Sequence, residues 1–299
     1  GEWYIVDIGL HSAYIDQVES DYSFTETTDV CHLLPKRNRF DHKGKAGKLY
    51  LVAGSRGKMG AAVLCARAAM KAGVGLLTVR VPMAGTQVVQ TCIPEAMVDE
   101  DTRKYELSSM PLNDTMGIGP GIGTAPVTGD ALEKLVRKAK APLVLDADAL
   151  NILASRTHLL EELPKGSILT PHPGEFERLV GTCDDDYQKL EELKDFCKKY
   201  GVNMVLKGAY SAVCNMEGKV RFNATGNPGM ATGGSGDVLT GIVASLLAQG
   251  LQPSDALVLG VFVHGFSADL AIHDQHINSL IASDVVACIS EAFKHIEQL

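Results

Sequence analysis

The sequence predicts an α/β fold built on a mostly parallel central sheet with helices on both faces. Short apolar runs alternate with helical patterns from Lys48 onward, the arrangement of strands joined by crossover helices. Nearly every such run ends in a loop bearing Gly, Pro or Asp. In open α/β sheets ligands sit beyond the carboxyl ends of the strands, so these loops are expected to meet around one cleft. A chain of 299 residues, 45% hydrophobic, can build one large α/β domain or two small ones.

Trp3 to Leu10 reads as a short strand, and the acidic, polar stretch from Asp16 to Asp29 as a linker. Residues 1–35 are therefore expected to be an N-terminal extension and residues 36–299 the main domain. Leu49 to Ala53 is a buried strand by its apolar run, followed by the loop Gly54 to Gly60 and an alanine-rich helix from Ala61 to Ala72. Strands follow at Gly75 to Val81 and Thr115 to Ile118, with Pro82 opening a helix or turn between them. Val127 to Lys138 is helical, Pro142 to Leu145 a strand, and Ala147 to Ser155 helical again. Ile168-Leu169 is a strand feeding T-P-H-P-G-E, and Tyr187 to Tyr200 is an amphipathic helix. Strands at Met204 to Lys207, Ala212 to Asn215 and Val220 to Phe222 follow, the last two joined through Glu217-Gly218 as a hairpin. Three helices close the chain: Asp237 to Gln249, Pro253 to Ile272 and Ser283 to Gln298.

The formal net charge is −8 with no basic block, which argues against nucleic acid as a principal partner. No apolar run approaches a membrane span, and no basic-apolar leader with a cleavage site is visible, so secretion is not expected. Seven scattered cysteines without C-x-x-C read as reduced thiols of a cytoplasmic protein. His273, Asp274 and His276 lack the i, i+4 histidine spacing of a helical zinc site and are taken as surface residues.

The densest signal is Asn223 to Gly241, N-A-T-G-N-P-G-M-A-T-G-G-S-G-D-V-L-T-G, lying between a strand and an apolar helical run and holding six glycines and one carboxylate. Glycine lets backbone N–H groups turn toward one point, and the first turn of a helix is a site for an anion. Gly233, Gly234, Ser235 and Gly236 are the expected phosphate cradle. Asp237, just inside the helix start, is the expected general base, taking a hydroxyl proton while the N–H groups hold a transferring phosphoryl group. The plain alternative is a glycine-rich turn with Asp237 as a helix-start residue. No Gly-Lys-Ser/Thr follows the glycines, so the stretch is not a Walker A loop.

Asn-x-Thr-Gly followed by Gly-x-Gly-Asp at a helix start resembles the ribokinase-like superfamily. The fuller N-P-G-M-A-T-G-G-S-G-D-V-L-T-G, with T-P-H-P-G-E upstream, is similar to one branch of it, the ADP/ATP-dependent NAD(P)H-hydrate dehydratases, from about Lys36 to the C-terminus. The resemblance implies a ribokinase-like three-layer fold. It implies dehydration of NADHX and NADPHX to NADH and NADPH, with Mg²⁺ and either ADP or ATP as phosphoryl donor. It points toward ADP, but no residue reports on a third phosphate. V-D-I-G-L is similar to the last strand of the epimerase domain that precedes the dehydratase in fused members. The chain is thus either the C-terminal part of a bifunctional protein or carries an ordinary extension. A homo-oligomer, in particular a tetramer, is what the family implies.

The resemblance distributes roles residue by residue. His172 and Asp237 match positions on the hydrated-nucleotide side, as do Ala61 in the G-S…G-A loop and Gly121 and Gly123 in G-P-G-I-G-T. Lys207, Gly208 and Ser211 match the stretch that meets the adenine nucleotide; Ala209 and Tyr210, the latter not distinctive, lie within it, and Gly236, Asn223 and Thr225 join the same expected nucleotide set. Where many relatives carry an aromatic residue, this chain has Met59. Read from the residues, Lys207 at a strand's carboxyl end suits a phosphate, with a surface turn as the alternative. His172 suits a substrate or phosphate contact. Glu175 suits Mg²⁺ through water or simply the start of a helix. Asp146 and Asp148, ending a strand, suit Mg²⁺ waters or a helix cap. Two other functions compete with the dehydratase. One is a superfamily kinase acting on a thiazole, pyrimidine or pyridoxal alcohol. The other is a non-catalytic nucleotide sensor, against which the base Asp237 argues.

Overall fold

The structure, a computed structural model, describes residues 6, 8–15, 17–18, 20–101 and 114–298. Its ten strands are β1 (Tyr22–Thr25), β2 (Lys48–Val52), β3 (Leu76–Pro82), β4 (Met97–Asp101), β5 (Thr115–Ile118), β6 (Leu143–Leu145), β7 (Ile168–Leu169), β8 (Asn203–Leu206), β9 (Ser211–Cys214) and β10 (Val220–Asn223). The helices are α1 (Ser12–Ile15), α2 (Thr27–Val30), α3 (Met59–Lys71), α4 (Thr86–Cys92), α5 (Pro126–Lys138), α6 (Asp148–Ser155), α7 (Pro173–Val180), α8 (Asp186–Tyr200), α9 (Ser235–Ala248), α10 (Pro253–Ala271) and α11 (Ala282–Glu297). One sheet in the order β1-β10-β9-β8-β7-β6-β5-β2-β3-β4 holds every strand. All pairs are parallel except β9 against its two neighbours.

Alternation along the strands divides the core into two layers. Leu49, Leu51, Val79 and Val205 face α3, α9, α10 and α11, whereas Tyr50, Val52, Met116, Leu145 and Met204 face α5, α6, α7 and α8. The expected three-layer arrangement is therefore present. α10 is long and apolar enough to cross a membrane, contrary to the expectation from the sequence. It is instead packed into the core, with its residues from Ala256 to Gly265 buried.

Two strands escaped the sequence reading. The stretch expected to be a linker contains β1, which extends the sheet in parallel with β10 through Tyr22↔Val220 and Phe24↔Phe222. Tyr22 stacks on Phe222 at 6.2 Å, its hydroxyl donates to Glu191 at 2.9 Å, and Val30 just beyond is fully buried. Y-S-F-T is too short, and its flanks too polar, to show a periodicity of its own. β4 is hidden by its acidity, M-V-D-E-D. It is viable because buried Arg80 on β3 reaches Asp99 at 3.0 Å and Asp101 at 3.4 Å, and the Tyr50 hydroxyl also donates to Asp99. Half of the strand expected over Trp3 to Leu10 falls outside the described residues, and Val6, Ile8, Gly9 and Leu10 belong to no strand.

Candidate active site

Backbone hydrogen bonds run past the strand ends and align the loops that follow. Gly119 N–H donates to Val52 C=O, Asp146 N–H to Ile118 C=O, Thr170 N–H to Leu145 C=O and Lys207 N–H to Pro171 C=O. The predicted loops are therefore stacked side by side at the carboxyl edge of the sheet. Those following β6, β7, β8 and β10 open onto a cavity of about 840 Å³, whereas the loops following β2 and β5 do not line it.

One wall is the start of α9. Gly234 takes φ +92, a conformation natural to glycine, and a Cβ there would meet Leu64 Cδ1 at 2.4 Å. Among the described residues no side chain caps this helix, and its first-turn residues line the cavity, which makes the helix start a ready anion site. Opposite lies Lys207. Its Nζ is 3.1 Å from Asp146 Oδ1 and 3.9 Å from Glu175 Oε2, and it hovers 3.3 Å from where a Gly236 Cβ would be. A cation thus stands over the helix start, held by two acids behind it.

Asp146 is 1% exposed. Its second oxygen accepts from Thr240 Oγ1 at 2.7 Å, and Thr240 also donates to Gly236 C=O at 3.1 Å. The chain then turns sharply at Ala147, with φ 49 and ψ −120. Ala147 is the one non-glycine residue with positive φ among the described residues, a strain of about 1–3 kcal/mol. The turn sends the next carboxylate, Asp148, the other way: it accepts from Gly123 N–H at 2.8 Å and pairs with Lys58 at 3.3 Å. Gly119 makes the turn possible, since a Cβ at its φ of +134 would lie 1.8 Å from Asp146 C=O.

Asp237 lines the cavity at the first turn of α9, and no hydrogen bond or ion pair engages its carboxylate among the described residues. Burial, reinforced by the nearby charge of Asp146, pushes it up to about 6, with Lys207 offsetting part of the rise. A carboxylate poised there suits proton transfer near neutrality. His264 of α10 also lines the cavity, with Nε2 3.3 Å from Ser235 Oγ. Burial, then Lys207, lowers it to about 4, so it is a neutral imidazole.

T-P-H-P-G-E forms the helix start weighed for it. His172 Nδ1 accepts from Gly174 N–H at 3.1 Å and Glu175 Oε2 accepts from His172 N–H at 2.9 Å, a reciprocal cap on α7. Both side chains also line the cavity. On the other flank, Ser211 Oγ bonds Gly208 at both its N–H and C=O, closing the K-G-A-Y-S turn. Asn223 turns inward: its amide donates to Thr225 C=O and Oγ1, and Thr225 Oγ1 reaches Phe262 C=O at 3.0 Å. Its side chain is occupied in shaping the N-A-T-G loop.

Asp237, Gly234, Ser235, Gly236, His172, Glu175, Lys207, Gly208, Ala209, Ser211, Asn223 and Thr225 share the cavity lining; Gly233, Tyr210, Ala61, Gly121 and Gly123 are outside it. Gly121 instead packs against Ala61 and Lys58, beside the Asp148 turn. Thr240, His264 and Asp269 were not singled out from the sequence. Asp269 accepts from Gly226 N–H at 2.8 Å and Asn227 Nδ2 at 3.0 Å, pinning the loop that forms the cavity rim. These residues lie within apolar helices, where only their polarity marks them. Among the described residues no cluster of three or more His, Cys, Asp or Glu could hold a metal by itself.

A family model described as NAD(P)H-hydrate dehydratase matches residues 49–291, most of the chain. The chain belongs to the NAD(P)H-hydrate dehydratase family. It is 38% identical over 311 residues to the bifunctional NAD(P)H-hydrate repair enzyme of Moorella thermoacetica, covering 100% of this chain and 59% of that protein. It thus spans about three fifths of that longer relative. It is also 38% identical over 251 residues to the ADP-dependent (S)-NAD(P)H-hydrate dehydratase of Neisseria meningitidis, covering 80% of this chain and 82% of that one. Among solved structures, the ADP/ATP-dependent NAD(P)H-hydrate dehydratase of Bacillus subtilis, co-crystallized with ATP/Mg²⁺, superposes with a TM-score of 0.83 at 30% identity. That match covers 92% of this chain and 99% of the other. The fold of this NAD(P)H-hydrate dehydratase family member is ribokinase-like.

Proposed function

We propose that this protein converts NADHX and NADPHX to NADH and NADPH, using ADP or ATP to phosphorylate the ring hydroxyl before phosphate leaves. The observation that carries the reading is the unpaired carboxylate of Asp237 beside the uncapped start of α9, with Lys207 facing it. Asp237 takes the hydroxyl proton, the N–H groups at Ser235 and Gly236 hold phosphoryl oxygens, and the Lys207 ammonium offsets their charge. The ring nitrogen's lone pair then expels phosphate, a far better leaving group than hydroxide.

K-G-A-Y-S and the Gly226 to Thr232 rim would receive the nucleotide, and His172 and the Gly121, Gly123 and Ala61 cluster the hydrated dinucleotide. The donor set fits Mg²⁺, a hard cation that keeps several waters and binds phosphates with one or two carboxylates. Glu175 would hold it through water, because its own oxygens already engage His172 and Lys207. The ion would neutralise charge on the nucleotide phosphates.

ADP is the donor favoured here, in line with the name of the Neisseria relative. The seven cysteines are free thiols, in keeping with the proposed cytoplasmic location. The proposed homotetramer is checked by light scattering, and the choice between a fused epimerase unit and an ordinary extension by the sequence of the whole gene. The decisive experiment incubates the protein with NADHX, Mg²⁺ and either ADP or ATP and follows the return of NADH absorbance. Recovery with at least one donor is expected. No recovery with either, together with phosphorylation of a vitamin alcohol, would replace the dehydratase by a kinase.

A further inference from the structure

Dehydration moves two protons, and phosphoryl transfer accounts for only one. The hydroxyl sits on the ring carbon beside the nitrogen, where that atom's lone pair can expel phosphate. Expulsion leaves an iminium ring. The dihydropyridine forms only when the neighbouring carbon gives up a proton: its C–H pair becomes the new C=C bond, and the N=C pair returns to nitrogen. The cavity must therefore supply a second proton acceptor.

Five acid–base side chains line it besides the Lys207 ammonium: Asp146, His172, Glu175, Asp237 and His264. Asp146 is tied on one oxygen to Lys207 and on the other to Thr240. Glu175 accepts from His172 N–H on Oε2 and faces His172 Nε2 at 3.5 Å through Oε1. His172 uses Nδ1 to accept from Gly174 N–H, which puts its ring proton on Nε2 and leaves no lone pair for substrate. His264 is buried in the wall with Nε2 against the Ser235 hydroxyl. Only Asp237 presents an unengaged carboxylate to the cavity among the described residues.

We propose that Asp237 acts twice in each turnover, taking first the hydroxyl proton and later the proton of the adjacent ring carbon. The inference rests on the dehydratase reading. In the first step the substrate oxygen bonds phosphorus, the bond to the nucleotide's leaving oxygen breaks, and Asp237 becomes a carboxylic acid. In the second the ring C–O bond breaks, its pair leaves with phosphate, and Asp237 hands its proton to that phosphate. In the third the regenerated carboxylate takes the C–H proton, and solvent later removes it. With ADP as donor the sum is NADHX and ADP giving NADH, AMP, phosphate and one proton. Burial holds Asp237 near 6, close to the second pKa of a phosphate monoester, so a proton handed to the ester as its C–O bond breaks costs little and the carboxylate is regained.

The test is a single-turnover quench experiment with ADP and Mg²⁺, following AMP and NADH separately. The substrate is NADHX with hydrogen or deuterium on the carbon next to the hydroxyl-bearing one. Wild type should form both products, and failure to form either would overturn the dehydratase reading itself. In Asp237→Asn, AMP release should slow and NADH should lag behind it by about 10²-fold or more, the effect of losing a base at a second step. Deuterium should slow NADH several-fold without changing AMP release. If Asp237→Asn makes no AMP, Asp237→Glu, which keeps a base displaced by one methylene, should show the same lag. NADH keeping pace with AMP in these variants, without an isotope effect, would assign the second proton to the departing phosphate and overturn the proposal.

Discussion

Replacing Asp237 by Asn should stabilise the fold while it disables the chemistry, and pH should separate the two effects. An ordinary aspartate ionises near 3.8, whereas burial and Asp146 hold Asp237 near 6. The unfolded chain therefore releases this proton at lower pH than the folded one. Stability falls as pH rises from about 3.8 to 6, and the cost is fully present above that window. The gap between 3.8 and about 6 corresponds to about 3 kcal/mol, which solvent at the cavity mouth trims toward about 2 kcal/mol. Asn keeps the shape and removes the charge, so urea unfolding at pH 8 should show Asp237→Asn more stable than wild type by about that amount. By pH 4 most of the gap should close, because the wild-type side chain is then protonated in the fold and half-protonated in the unfolded chain. Turnover of the variant should fall roughly 10²–10⁴-fold. Equal stability at both pH values, or a variant destabilised at both, would show that Asp237 is not held as a costly charge and would remove the electrostatic basis for its role.

Other positions test the surrounding frame. Lys207→Met leaves the buried Asp146 without its cation; it should cost about 3 kcal/mol in urea unfolding at pH 8, and much of that should return in the double variant with Asp146→Asn. Gly265→Ala places a methyl 2.3 Å from Thr225 Oγ1; overpacking of about 1–3 kcal/mol should displace the N-A-T-G loop and raise the KM for nucleotide about tenfold, with a smaller change in kcat. Asp269→Ala releases Gly226 and Asn227; with hydrogen bonds to a charge worth about 1.5–3 kcal/mol each, the rim should become sensitive to limited proteolysis and nucleotide affinity should drop. Chelation of Mg²⁺ should abolish turnover without changing thermal stability, and added Mg²⁺ should restore it.

Much of this was legible one segment at a time. Apolar runs marked the central strands, and the glycines before Ile242 marked the helix start with Asp237 inside it. T-P-H-P-G-E and K-G-A-Y-S stood out because they end strands, and one sheet gathers strand ends at one edge. β1 and β4 were not legible, because a four-residue edge strand and an acidic one depend on Phe222 and Arg80, partners the local pattern does not contain. Nor was the assignment of the carboxylates. Asp146, Asp148, Glu175 and Asp237 have the same chemistry in the chain, but the fold ties the first three to Lys207, Lys58 and His172 and leaves the fourth open.

By itself the sequence determined the layered α/β fold and the family, and it marked a short list of candidate site residues. Tertiary structure decided which of their carboxylates is left unpaired. Hydrogen bonds and ion pairs form between residues such as Lys207 and Asp146, 61 positions apart, and the reactivity of a carboxylate is set by what touches it rather than by its neighbours in the chain.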